Sequence, residues 1–78
     1  MIVERATVTR KDGTGSVYGR EGGRKVFVLL TSAGEPDPSG IGYSRRRLEE
    51  RPQMDRRVAT VTFTKSETSP IGDSQEAA

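Results

Sequence analysis

Apolar residues in this chain fall in short alternating runs, and nowhere do they sustain a long helical face. The longest run is Arg24-Lys25-Val26-Phe27-Val28-Leu29-Leu30-Thr31, which reads as a strand. Val26, Val28 and Leu30 share one of its faces, and Phe27 and Leu29 share the other. A half-buried strand in a small domain usually carries polar residues on its second face. Here both faces are apolar, so either both are covered or one is exposed for a ligand.

The remaining elements line up around that run. Residues 2–9 are rich in β-branched side chains and alternate roughly, with Ala6 and Val8 on one face, which predicts a strand. Arg10-Lys11-Asp12-Gly13 is hairpin-turn chemistry. A second short strand covers 14–20, Glu21-Gly22-Gly23 turns the chain, and the apolar run completes an antiparallel meander over 2–31. Residues 32–42 hold Gly34, Pro36, Pro38, Gly40 and Gly42, which predicts a long, mobile loop. Residues 44–51 predict one or two helical turns with Ser44 as N-cap, ended by Pro52. Their single apolar residue, Leu48, rules out a substantial core helix. Residues 57–64 read as a strand with Ala59, Val61 and Phe63 on one face and Val58, Thr60 and Thr62 on the other. The pattern predicts an all-β domain over 1–65: a small five-stranded antiparallel barrel, OB-like or alternatively SH3-like. Residues 66–78 predict an acidic tail, mostly disordered, or a frayed last strand.

Composition narrows the chemistry. An apolar share of 31% permits only a thin core. With no Cys and no His, there is no disulfide framework, and the common zinc, haem and nucleophile–base arrangements are excluded or disfavoured. No cofactor or metal and no catalytic residue is expected. The adjacent Glu49 and Glu50 do not face each other, so paired acid/base work is unsupported. No segment approaches the ~18 apolar residues of a membrane span and no signal-peptide core opens the chain, so a cytoplasmic location is expected. The formal charge of +2 conceals a split. Residues 1–65 carry all thirteen bases against eight acids, +5, whereas 66–78 carry three acids and no base, −3. A basic body is compatible with nucleic-acid binding and equally with an ordinary solvated surface.

Two spaced motifs extend this reading. Asp12-Gly13-Thr14-Gly15-Ser16-Val17 and, after an eight-residue hairpin, Val26-Phe27-Val28-Leu29-Leu30 resemble the paired motifs of the cold-shock domain, which read Lys-Gly-Phe-Gly-Phe-Ile and Val-Phe-Val-His-Phe. Thr31-Ser32-Ala33, Gly42-Tyr43 and Leu48-Glu49-Glu50 are similar to later parts of the same family, so the resemblance spans most of the chain. It implies an OB fold that binds single strands by stacking bases on exposed rings. The departures fall on those rings: Thr7 stands for Trp, Thr14 and Ser16 for two Phe, Leu29 for His and Leu30 for Phe. Phe27 alone survives. Losing four or five platforms, each contributing roughly 1 kcal/mol or more, lowers the expected affinity by several orders of magnitude.

The resulting expectation is a non-enzymatic nucleic-acid-binding module in gene regulation, weak or charge-driven, for single-stranded or structured RNA or DNA. Its candidate contacts are Arg10 and Lys11 at the hairpin, Tyr18, Phe27 and Leu29 as the remaining platform, and the run Arg45, Arg46 and Arg47. Arg51, Arg56 and Arg57 extend that basic run, while Glu49, Glu50 and Asp55 interleave it. Phe27 either presents its ring or simply covers the barrel beside Leu29. The alternative is a protein-interaction barrel, a monomer or weak dimer, meeting a regulatory partner through Phe27, Leu29 and Leu30.

Overall fold

The computed structural model describes residues 1–65. The tail expected over 66–78 lies outside them. Five antiparallel strands make one curled sheet, a half-barrel, in the order β4-β3-β2-β1-β5. They are β1 (Ile2–Arg10), β2 (Gly15–Glu21), β3 (Val26–Leu29), β4 (Tyr43–Ser44) and β5 (Val58–Lys65). Between β4 and β5 lie two single turns of helix, α1 (Arg45–Glu49) and α2 (Arg51–Met54). Every strand pairing among the described residues is antiparallel.

The meander forms where alternation predicts it. On β1, Glu4, Ala6 and Val8 point inward while Arg5, Thr7 and Thr9 face solvent. Thr7 pairs with Thr62 and Thr9 with Thr60 across to β5, so the outer face there is a polar threonine ladder. The hairpin from β1 to β2 turns through Gly13 at φ +94°, and Asp12 Oδ1 accepts hydrogen bonds from the Thr14 N–H (2.9 Å) and hydroxyl (2.6 Å). Gly15 sits so close to β1 that a Cβ would lie 2.9 Å from the Val8 carbonyl oxygen. Hairpin geometry alone therefore accounts for both glycines of the first cold-shock-like motif.

β3 answers the question posed by its two apolar faces: the inner one is covered and the opposite one only in part, since Val26 remains 36% exposed. Phe27 is 1% exposed and Leu29 packs against the same core. Val28 and Leu30 on the opposite face are half-buried, with Leu30 lying over Gly19 of β2. The cover comes in part from the loop that sequence predicts to be mobile. It doubles back on β3: the Asp37 N–H donates to the Leu29 carbonyl (2.8 Å), the Thr31 N–H donates to the Glu35 carbonyl (2.7 Å), and Leu30 bridges Pro36.

The core comprises Ala6, Val8, Tyr18, Phe27, Leu48 and Val58, with Leu29, Tyr43, Val61 and Phe63 packed against it. Leu48, fully buried, plugs the open side of the half-barrel from α1. Ser44 caps α1 as expected, its hydroxyl accepting from the Arg47 N–H at 3.2 Å. Pro52 does not end the helical stretch. It sits in the first turn of α2, where its fixed φ and missing N–H are tolerated. Val58 also departs from simple alternation. Thr9 pairs with Thr60 but Arg10 with Val58, so Ala59 is an extra residue, and this bulge swings Val58 onto the inner face with Val61 and Phe63.

Candidate nucleic-acid interface

The aromatic platform expected from the sequence is not at the surface. Phe27 packs edge-on against Phe63, with ring centroids 5.6 Å apart and planes at 71°. Tyr18 is 8% exposed and packs edge-on against Tyr43 at 5.7 Å and 85°. Leu29 is half-buried beneath them. Phe27 and Tyr18 are therefore corrected from candidate stacking rings to core residues. Residues 27 and 29 of β3 face inward while residue 30 faces outward, so the Phe27–Leu29–Leu30 docking face is not assembled either. The reason is composition. With so few large apolar residues, the fold spends all four rings on its interior.

The bases, by contrast, are gathered by the tertiary fold. At one end of the β1–β5 pair, the Lys11 N–H donates to the Arg57 carbonyl at 2.9 Å, tying the hairpin to the turn before β5. That bond brings Arg10, Lys11, Arg56 and Arg57 around one surface cavity of about 360 Å³, with Asp12 on its rim. The Arg10 guanidinium donates to the Ser16 hydroxyl at 3.0 Å. Arg57, exposed, pairs with Asp55 at 3.2 Å; hydrogen bonds from its guanidinium and its N–H hold the Asp55 carboxyl below its ordinary pKa. Arg56 and Arg57, which in sequence extend the Arg45–Arg47 run, thus belong with Arg10 and Lys11.

The Arg45–Arg46–Arg47 run does not act as a unit. Arg45 turns toward the sheet and engages Glu4, the one buried charged residue among those described. Its guanidinium also pairs with Glu49 at 3.3 Å and lies 4.2 Å over the Phe63 ring. Arg46 stays exposed and pairs with Glu50 at 3.4 Å, one helical turn on. Arg47 is exposed and forms no ion pair among the described residues. Glu4 also accepts from Arg20 Nε (3.2 Å) and Nη2 (3.1 Å), so both its oxygens are occupied by guanidinium groups. Burial pushes its carboxyl up, but hydrogen bonds from Arg45 and Arg20, with their charges, outweigh burial and hold it below the ordinary value.

Sequence reading passed over Glu4 and Arg20. The signal was present: Glu4 falls on the Ala6–Val8 face, and a charge at an inward strand position requires a partner. No protein-family model, curated protein or solved structure matches this chain.

Proposed function

We propose that this chain is a non-enzymatic nucleic-acid-binding module, serving gene regulation, that holds its target by charge on phosphate. The observation supporting this most directly is the convergence of Arg10 and Lys11 with Arg56 and Arg57, some 45 residues apart in sequence, around one open surface. The β1–β5 pairing and the Lys11–Arg57 backbone bond bring these four bases together, and against Asp12 and Asp55 they leave a net positive surface that favours an anionic partner. The burial of Tyr18 and Phe27 removes base stacking, which contributes roughly 1–3 kcal/mol per base on single strands. The target that remains is a duplex or a structured strand whose phosphates lie close enough to be read by charge alone.

Titration into labelled duplex and single-stranded oligonucleotides at two salt concentrations tests this reading. Engagement of three or four phosphates at this end gives a log–log salt slope of about −2.7 to −3.6 on duplex DNA. Arg10→Ala with Lys11→Ala should flatten that slope by about 1.8. Binding indifferent to salt, or none at low salt, rejects the proposal.

A further inference from the structure

The opposite end of β1 holds a second basic basin, more strongly charged than the first. Arg20, Arg24, Lys25, Arg45 and Lys65 line a surface cavity of about 380 Å³ whose wall includes the buried Glu4 and Phe27. These bases come from four places: β2, the β2–β3 turn, α1 and the end of β5. Five bases against Glu4 leave +4, or +3 when Glu49, which pairs with Arg45, is counted. Glu4 does not repel an anion from this basin, because its two oxygens are already covered by Arg20 and Arg45. It acts instead as a splint. Arg20 is held at three nitrogens, by Glu4 and by the Arg24 carbonyl at 3.0 Å. Arg45 is held by Glu4, Glu49 and the Phe63 ring, with its Nη2 uncommitted. Two guanidinium groups are therefore fixed in place before any ligand arrives, so less side-chain freedom remains to be lost on binding. Arg24, Lys25 and Lys65, all exposed, have no carboxylate within ion-pair distance among the described residues.

We propose that this basin binds a phosphomonoester dianion, and that in the nucleic-acid reading above, on which the choice of macromolecule rests, it seats the terminal phosphate of a strand. A terminal phosphate carries about −1.5 to −2 charge at pH 7 and three acceptor oxygens, against a single charge for each backbone diester. It thus matches the charge of a +3 to +4 basin better than one phosphate of a continuous backbone does. Pre-oriented guanidinium groups suit its geometry, and the three unpaired bases supply the balancing charge.

The full chain is titrated with a labelled oligonucleotide bearing a terminal phosphate and with the same oligonucleotide lacking it. Separately, its thermal midpoint is followed in inorganic phosphate against chloride at equal ionic strength. The phosphorylated strand should bind about tenfold tighter, and phosphate should raise the midpoint. Both effects should vanish in the triple variant Arg24→Ala, Lys25→Ala, Lys65→Ala, which removes only exposed side chains without ion partners. Arg46→Ala with Arg47→Ala, outside the basin, should retain both. If the two oligonucleotides bind equally and phosphate leaves the midpoint unmoved, the basin is not a phosphate site, while charge-driven nucleic-acid binding stands. If phosphate stabilises the protein through the basin but no oligonucleotide binds, the site belongs to a small phosphorylated molecule and the nucleic-acid reading fails.

Discussion

Glu4→Gln separates the structural from the functional role of the arginines. The substitution keeps the shape of the side chain and removes its charge. In the native protein one carboxylate, 2% exposed, accepts from Arg20 through two nitrogens and from Arg45 through one. A glutamine offers one acceptor oxygen and turns an N–H₂ group toward the other guanidinium. A hydrogen bond to a charged group contributes about 1.5–3 kcal/mol, and stranding a fully buried charge costs about 3–5 kcal/mol. The stranded charges here are not fully buried: the Arg45 and Arg20 side chains are 49% and 26% exposed and can turn toward water. That lowers the expected loss to about 2 kcal/mol. For a domain this small, with a urea m-value of about 1 kcal/mol/M, the unfolding midpoint should fall by about 2 M. Such a loss is a large fraction of a total near 5 kcal/mol.

The pH dependence supplies the stricter test. The Glu4 carboxyl is depressed in the folded state, so its contribution is fully present above the ordinary carboxyl range and is lost as pH falls through the folded value. The gap between native protein and variant should be widest at neutral pH and should narrow as pH falls below the ordinary carboxyl range and through the depressed folded value. Equal midpoints at pH 7 would refute the argument. A gap that does not narrow as pH falls below the ordinary carboxyl range would refute it too, because the loss would then come from shape and not from charge.

Other outcomes follow from the same geometry. Phe27→Ala should cost about 3–5 kcal/mol in chemical denaturation and leave little folded protein, since the ring is core; a fully folded variant with weakened single-strand binding would show the ring to be a contact instead. Gly15→Ala drives a Cβ onto the Val8 carbonyl and should destabilise by about 1–3 kcal/mol, measured by thermal unfolding. Ser44→Ala removes the cap of α1 and should cost about 1 kcal/mol by the same measurement. Deleting residues 66–78 raises the net charge from +2 to +5 and should tighten oligonucleotide binding at low salt, whereas unchanged affinity would show that the acidic segment does not compete for the basic surfaces.

What the chain determines locally is legible without a structure. Alternation in residues 2–9 places Ala6 and Val8 inward, Asp12-Gly13 makes the hairpin, and Ser44 caps the short helix, because each depends on neighbours a few residues away. The class of fold, a small antiparallel half-barrel, follows from strand count and turn spacing. Three matters were left to the tertiary structure. Phe27 and Leu29 alternate with Val26 and Val28 whichever face meets the core, and only the curl of the sheet and the fold-back of the Pro-containing loop decide it. A bulge at Ala59 reverses Val58, and one extra residue in a strand leaves no mark in the pattern. The basic surfaces are the clearest case. Sequence proximity groups Arg56 and Arg57 with Arg45, Arg46 and Arg47, but strand pairing carries the first two to Lys11 and draws Arg45 to Glu4, forty-one residues away. Charge clusters are set by which strands lie side by side, and that is a property of the folded sheet.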